Sequence, residues 1–311
     1  MMKRIRTALC LILAAALLAG CAFLPSESEP EALAPADPLT GHPLEWPGQR
    51  PVAVTIENST ASATQWGISS ASVVLEALTE AGMATELCLV YPALAATPKV
   101  GPVAAGQDIY WRLLVGQQPL PVQRGGGQFD QNYLDYYSIR AVDALEAGRT
   151  AFDCGSEWSN APLWYTSGSA VSKVLDALSI SAVLTESRVT SAASAAAASA
   201  SSGSDAVLTV PALLPQEEDG KLPDATAPDA VNVRVCFDDN NATGFAYDPD
   251  SGLYRMLHAD GTPQLDANNG QQAGFDNLLV LFSASALRDD GRTYDFDLLS
   301  LIHISEPTRP Y

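Results

Sequence analysis

The stretch Arg50-Pro51-Val52-Ala53-Val54-Thr55-Ile56-Glu57-Asn58 decides the fold of this 311-residue chain. Within it, the branched apolar side chains of Val52, Val54 and Ile56 are separated by single smaller residues. This period of two is typical of a β-strand that buries one face. The stretch therefore predicts a core strand, and the neighbouring segments indicate what packs around it.

Strands and helices alternate after this first strand. The sequence predicts strands at 86–91 and 120–123, and helices at 103–115 and directly after Ser167. A further helix, capped by Ser69 or Ser70, is predicted from apolar residues at helical spacing: Ala71, Val74, Leu75 and Leu78. This alternation predicts a layered α/β domain over residues 47–185.

Beyond that domain the composition changes twice. Residues 186–228 are rich in Ala, Ser and Pro and are predicted to be a linker. Residues 229–298 are predicted to form a smaller, truncated, mostly β domain, because strand patterns flank the turn signal Asp248-Pro249-Asp250-Ser251-Gly252. One strand places Val231, Val233, Val235 and Phe237 on one face and Cys236 on the other. The predicted fold class is thus α/β (α+β), with two domains.

The amino terminus carries an export signal. A basic start and an apolar stretch too short to span a bilayer lead to Leu18-Ala19-Gly20-Cys21. This pattern is similar to the bacterial lipoprotein signal, which implies cleavage after Gly20 and lipidation of Cys21. We therefore predict a signal peptide at 1–20, a tether at 21–46, and a lipid anchor on the extracytoplasmic face of the cell membrane.

The charge balance restricts the partners. Lys and Arg number 17 against 36 Asp and Glu, for a net charge of −19. Such a surface repels nucleic acid and anionic headgroups, so no nucleic-acid partner is expected and the lipid provides the membrane attachment. Outside the signal, Cys88, Cys154 and Cys236 allow one disulfide or none, and both alternatives remain open.

No cofactor and no metal site are predicted. The chain has no phosphate-binding loop and no dinucleotide fingerprint. The oxygen-rich segment 238–250 lacks the spacing of a calcium loop, so turn formation is favoured there. His42 and His258 stand in no recognisable nucleophile motif.

A set of short segments carries a family resemblance: Pro38-Leu39-Thr40-Gly41, Arg50-Pro51-Val52-Ala53-Val54, Gln65-Trp66-Gly67-Ile68-Ser69, Lys99-Val100-Gly101-Pro102-Val103, Tyr247-Asp248-Pro249, Asp266 and Asn277-Leu278-Leu279-Val280. In this combination the chain resembles the YerB-like lipoproteins, a two-domain family of unknown function. The resemblance covers most of residues 38–282 and implies a two-domain body behind the anchor.

The resemblance also implies remnants of a ligand site, at Asn58, Gln65, Glu76, Glu80, Gly101 and Pro102. The family typically carries arginines at four positions that read Ala63, Thr85, Ala104 and Gln107 here. Because arginines suit an anionic ligand, we expect this member to have lost or rebuilt the site.

Glu76 and Glu80 stand four residues apart on the helix predicted there. Two nearby carboxylates can act as an acid/base pair. A solvated helix face opposite the apolar positions is the favoured interpretation.

Two functions remain open. The sequence favours a non-catalytic binding or interaction protein of the cell envelope, with a protein or a cell-wall polymer as partner. Trp66, Trp158, Trp164 and Tyr165 suit a contact surface, although aromatic residues also fill cores. The alternative is an envelope enzyme, or a degenerate relative of one, that acts on an anionic substrate in the first domain.

Residues 299–309 read LSLIHISEPTR and match the translated sequence of a transposase adaptor used in preparing sequencing libraries. We interpret residues 299–311 as such an artefact and therefore leave His303 out of the candidate site. The codons of the encoding DNA test this interpretation.

Overall fold

The computed structural model describes residues 35–59, 65–154, 163–184, 210–214 and 230–298, together with the backbone of 302–304. One unit runs from Ala36 to Tyr311 and holds both predicted domains. The predicted signal peptide, Cys21, Ala63, Trp158 and most of the predicted linker lie outside the described residues.

The first domain is built on a mixed five-stranded sheet in the order β2-β3-β1-β4-β5. Strand β1 pairs antiparallel with β3 and parallel with β4. The residues of β1 from Val52 to Ile56 are fully buried, as expected for a central strand covered on both faces. The strands are β1 Val52–Glu57, β2 Val73–Ala77, β3 Glu86–Tyr91, β4 Leu120–Gln123 and β5 Val142–Asp143.

Helices cover one face of this sheet. Ile109, Trp111 and Leu114 of one helix and Leu134 of the next pack against that face. The Ser167 hydroxyl accepts a hydrogen bond from the Ala170 amide, which confirms the predicted cap. The helices are α1 Asp108–Leu114, α2 Gln128–Tyr136, α3 Ala144–Ala147 and α4 Gly168–Val171, so α1 begins five residues later than predicted.

The prediction of a helix at 69–78 is wrong, because Val73 to Ala77 form strand β2, which pairs with β3. Val73 and Leu75 pack with the helices on one face, whereas Val74 packs on the opposite face. A strand with apolar side chains on both faces reads as an unbroken apolar run, which mimics helical spacing. Glu76 and Glu80 therefore do not share a helix face.

The second domain begins with a four-stranded antiparallel sheet in the order β6-β7-β8-β9. Its strands are β6 Asn232–Cys236, β7 Ala242–Asp248, β8 Leu253–Leu257 and β9 Gly274–Phe275. The predicted turn joins β7 and β8 as a hairpin. Val233 and Val235 pack inward and Cys236 is exposed, as the alternation predicted. The prediction is wrong for Val231, which precedes β6 and is exposed.

Two short strand pairs follow the second sheet. They are β10 Val280–Phe282 with β13 Ile302–Ile304, and β11 Ser285–Leu287 with β12 Tyr294–Phe296. Strand β13 lies within the adaptor-like segment. The two domains together confirm the predicted fold class.

The two domains share one core. Phe245, Tyr254 and Met256 of the second sheet join Ile56 and Leu87 of the first in a single apolar cluster. The β11–β12 hairpin also continues the edge of the first sheet, since the Tyr294 amide donates to the Thr79 carbonyl at 3.0 Å. Both arms of the Arg288 guanidinium donate to Asp108 of α1, at 2.8 and 2.7 Å.

Residues 36–46, which were predicted to be part of the tether, belong to the same unit as both domains. The Asp37 amide donates to the His42 carbonyl at 2.7 Å, and Leu39 packs beneath the helices. Leu213, from the range predicted as linker, donates its amide to the Pro38 carbonyl at 2.7 Å. No helix among the described residues is long and apolar enough to cross a bilayer.

Within the described part of the chain, no disulfide joins Cys88, Cys154 and Cys236. Cys88 lies fully buried on β3, and Cys154 is buried as well. Of the two alternatives left open by the sequence, the structure has the one without a disulfide.

Candidate functional site

Glu76 lies on β2 at the junction between the two domains. Its Oε1 atom accepts hydrogen bonds from Asn58 Nδ2 at 3.0 Å, Thr85 Oγ1 at 2.6 Å and Thr243 Oγ1 at 2.7 Å. Thr243 comes from β7, so the carboxylate connects the domains. Burial raises the pKa of Glu76, although these three donors oppose the rise. The interpretation of Glu76 as part of a solvated helix face is therefore wrong.

Glu80 follows β2 and lies in a different environment. Arg292 of the second domain donates to its carboxylate at 2.7 Å, and the arginine side chain is 72% exposed. Glu80 thus has a cationic partner, which the second domain supplies. Because Glu76 is held by three neutral donors and Glu80 is paired with an exposed arginine, the geometry does not support an acid/base pair.

Glu86, on β3, is a partly buried carboxylate that sequence reasoning missed. Burial raises its pKa to about 7, while hydrogen bonds from Thr79 and Gln107 oppose the rise and the charges of Glu80 and Glu57 add to it. Glu86 stands directly opposite Glu57 in the β1–β3 register. Like charges in that position are unfavourable, but the pair can be found only once the register is known.

Two positions at which the resemblance implies arginine thus contact partly buried carboxylates. Thr85 donates to Glu76, and Gln107 hydrogen-bonds Glu86. A third position, Ala104, is buried beside β1, where its carbonyl accepts from Thr55 Oγ1 at 3.0 Å. Neutral donors satisfy the carboxylate oxygens without neutralising their charge, so burial keeps the pKa values of Glu76 and Glu86 raised.

Gln65, Gly101 and Pro102 position the backbone around Trp66. The Trp66 and Gly101 backbones exchange hydrogen bonds at 2.8 and 3.2 Å, and the Pro102 carbonyl accepts from the Glu57 amide at 2.9 Å. Gly101 has φ +144°, and a Cβ there would lie 2.7 Å from the Trp164 carbonyl oxygen. A side chain at this position is therefore excluded on both grounds.

Gln65 and Asp266 join the two domains on this side. Gln65 Oε1 accepts from Gln264 Nε2 at 3.0 Å, and both side chains are buried. The Asp266 carboxylate accepts from the amides of Gly67, Ser69 and Asn268 at 3.0, 2.9 and 2.8 Å. It also accepts from Ser69 Oγ at 2.6 Å. Burial acts to raise the pKa of Asp266, but these hydrogen bonds outweigh it and lower the pKa.

The residues Trp66, Lys99 and Tyr165 lie together beside this junction, and we call them the aromatic cleft. The two rings meet edge to face with centroids 6.3 Å apart. Lys99 Nζ lies 3.6 Å from the Trp66 ring centroid and 4.7 Å from that of Tyr165. Both aromatic residues are partly exposed and Lys99 is exposed. Trp164 instead packs on the core, with its ring against Phe152.

Asp130 is a further buried carboxylate, away from the junction in α2. It accepts from Trp111 Nε1 at 2.5 Å and from Gln123 Nε2 at 2.9 Å, and it is 2% exposed. Burial raises its pKa to about 6, the two donors oppose that rise, and the charges of Asp108 and Asp143 add to it.

No group of three acidic, histidine or cysteine side chains in the described ranges is arranged to hold a metal ion. In the oxygen-rich segment, Asp238 accepts from the amides of Asn240 and Asn241, and Asp248 accepts from Ser251 and Arg255. These contacts are those of turns, as favoured from the sequence.

The fold and the junction define a two-domain protein in which a mixed sheet and an antiparallel sheet are joined by buried polar contacts. The chain belongs to the family described as protein of unknown function (DUF3048). The model of the family's N-terminal domain matches residues 39–181, and that of its C-terminal domain matches residues 232–300.

A curated Bacillus subtilis (strain 168) protein named "Putative lipoprotein YerB" is 25% identical over 268 residues, which is 85% of this chain and 72% of the relative. The crystal structure of the YerB protein from Bacillus subtilis matches with a TM-score of 0.66 at 22% identity. That match covers 85% of this chain and 80% of the other. The relatives confirm the YerB-like resemblance, and the solved structure shows that the fold is shared.

Proposed function

We propose that this protein is anchored by lipid to the extracytoplasmic face of the cell membrane and has a non-catalytic binding role in the envelope. The motif Leu18-Ala19-Gly20-Cys21 and the name of the Bacillus subtilis relative support the anchor. The aromatic cleft carries the binding role, because it offers two partly exposed rings on a rigid backbone. Exposed aromatic side chains of this kind are enriched at contact surfaces.

The junction supports binding over chemistry on an anionic substrate. Glu76 is enclosed by three neutral donors, and Thr85 and Gln107 hydrogen-bond the protein's own carboxylates. An anionic substrate would therefore meet buried acids where the family's arginines would attract it. The partner class that fits is a protein or a cell-wall polymer that presents no large negative charge.

The anchor predicts an outcome for a Cys21→Ser variant. We expect the wild type to incorporate a labelled fatty acid in cells and the variant to incorporate none, because a serine hydroxyl does not replace the acylated thiol. Cys10→Ser is the matched control, since Cys10 lies inside the signal peptide, and it should remain labelled. A labelled Cys21→Ser protein would contradict the anchor.

The binding role predicts a cross-link at the aromatic cleft. With a photo-reactive phenylalanine analogue in place of Tyr165, irradiation of intact cells should give an adduct of defined added mass. The same analogue in place of Tyr136, which is 81% exposed on α2, is the control and should give none. Absence of any adduct at position 165, or equal labelling at both positions, would contradict a binding role for this surface.

A further inference from the structure

The aromatic cleft already holds an alkylammonium group, which is the end of the Lys99 side chain. Lys99 Nζ lies within cation–π distance of both the Trp66 ring and the Tyr165 ring. The lysine is exposed, so water competes for its ammonium group and its hold on the rings is weak. The cleft thus has the geometry of a cation site whose occupant is tethered and replaceable.

Both walls of the cleft are fixed by backbone hydrogen bonds. Trp66 is held by its exchange with Gly101, and Tyr165 exchanges hydrogen bonds of 2.7 and 2.8 Å with Asp153. Gly67, the residue after Trp66, donates its amide hydrogen bond to the Asp266 carboxylate. Two rings that do not need to be ordered on binding lose little entropy when a ligand enters.

The charges around the cleft favour a cation. Burial raises the pKa of Tyr165, and the negative charge of the Glu57 carboxylate raises it further. The same carboxylate attracts a cation that approaches the Tyr165 ring. The whole chain carries −19. A cation that enters the cleft is therefore attracted by both the local and the overall field.

We propose that Trp66 and Tyr165 form a binding site for an organic ammonium group of an envelope ligand, with Lys99 as an intramolecular competitor. This inference rests on the proposed binding function and names its ligand class. A ligand ammonium displaces the lysine side chain into solvent, and its apparent affinity is lowered by the fraction of time that Lys99 fills the cleft. Lys99 thereby raises the ligand concentration that is needed for half-saturation of the cleft.

The test uses the full chain in detergent micelles and calorimetric titration with choline. We expect weak binding to the wild type and about threefold to fivefold tighter binding to Lys99→Met, which keeps an apolar stem and removes the charge. The double variants Lys99→Met with Trp66→Leu or with Tyr165→Leu should each lose that gain. An unchanged melting temperature shows that a given variant is folded, and either double variant suffices for the comparison.

Two control ligands separate the contributions. The neutral choline isostere 3,3-dimethylbutan-1-ol should bind no variant, because it has the shape without the charge. Glycerophosphocholine should bind as well as choline if the ammonium is carried by a headgroup or a phosphodiester polymer, and more weakly if the ligand is a free amine. Either result supports an ammonium site and identifies its source.

Equal choline affinity in the wild type and in Lys99→Met would overturn the proposal, as would equal binding of the neutral isostere. Such a result alongside a cross-link at position 165 would leave the binding function in place and remove only the ligand class. Loss of the cross-link together with loss of choline binding would remove both.

Discussion

Replacing Asp266 by alanine is expected to lower the free energy of unfolding by about 4 kcal/mol. The side chain is fully buried and accepts four hydrogen bonds, three of them from amides of Gly67, Ser69 and Asn268. Alanine leaves these donors without an acceptor at the point where the two domains meet. The midpoint of urea unfolding should therefore fall strongly, with a single transition retained if the shared core still couples the domains.

Asp260→Ala is the matched control for this variant. Asp260 also accepts from a backbone amide and a hydroxyl, both of Thr262, but it lies in an exposed turn. Water replaces those contacts, so little change in the unfolding midpoint is expected. The unfolding midpoint of Asp266→Asn should lie between those of Asp266→Ala and Asp260→Ala, since an amide oxygen accepts fewer and weaker hydrogen bonds than a carboxylate does. Equal midpoints for Asp266→Ala and Asp260→Ala would show that the junction does not depend on this carboxylate.

The second large effect is a loss of stability as the pH rises from about 5 to 8. Burial raises the pKa of Glu76, raises that of Glu86 to about 7 and raises that of Asp130 to about 6. In this range the folded protein binds more protons than the unfolded chain, so unfolding is favoured as the pH increases. For Asp130, a pKa rise from 3.8 to about 6 corresponds to roughly 3 kcal/mol of stability that is present below pH 4 and lost through pH 6.

The opposite dependence holds in acid. Hydrogen bonds that outweigh burial lower the pKa of Asp266, and hydrogen bonds and ion pairs with Arg288 and Arg112, again acting against burial, lower that of Asp295. The stability contributed by these carboxylates is present above their unfolded pKa and is lost as the pH falls through the folded one. The melting temperature should therefore be highest near pH 5.

The Asp130→Asn variant distinguishes two causes of this pH dependence: ionisation of buried carboxyl groups, and repulsion among all the negative charges of the chain, which also weakens in acid. An asparagine accepts from Trp111 and carries no charge at any pH, so this variant should lose less stability than the wild type between pH 5 and 8. The measurement is the melting temperature of both proteins across that range. Parallel curves, or a wild type that is more stable at pH 8 than at pH 5, would contradict the raised pKa values.

Local patterns predicted several elements correctly. Strands β1, β3 and β4 follow from apolar alternation, the cap at Ser167 follows from its hydroxyl, and the β7–β8 hairpin follows from its turn residues. Each depends on neighbours within a few positions along the chain, which is the range over which sequence patterns act. Strand β2 was missed because both of its faces carry partly buried apolar side chains, and nothing local distinguishes such a strand from a helix turn with the same residues.

In the candidate site, too, some features could be predicted from the sequence and others depend on tertiary packing. Asn58 and Glu76 were predicted together from a resemblance, and the structure brings them within a hydrogen bond. Glu86 was missed because its raised pKa depends on burial, and no pattern in the sequence predicts that this side chain is shielded from water. The cationic partner of Glu80 was missed because Arg292 lies in the other domain. Contacts between residues so far apart along the chain exist only after the sheets have packed.

The sequence by itself determined the chain's charge, its two-domain order and the presence of a buried first strand, because composition and short-range periodicity specify these properties. Only the tertiary structure decided that Glu76 contacts Thr243 of the second domain, that Asp266 joins the domains, and that Trp66, Lys99 and Tyr165 form one cleft. The physical reason is that pKa values and ring contacts depend on which distant segments exclude water from a residue.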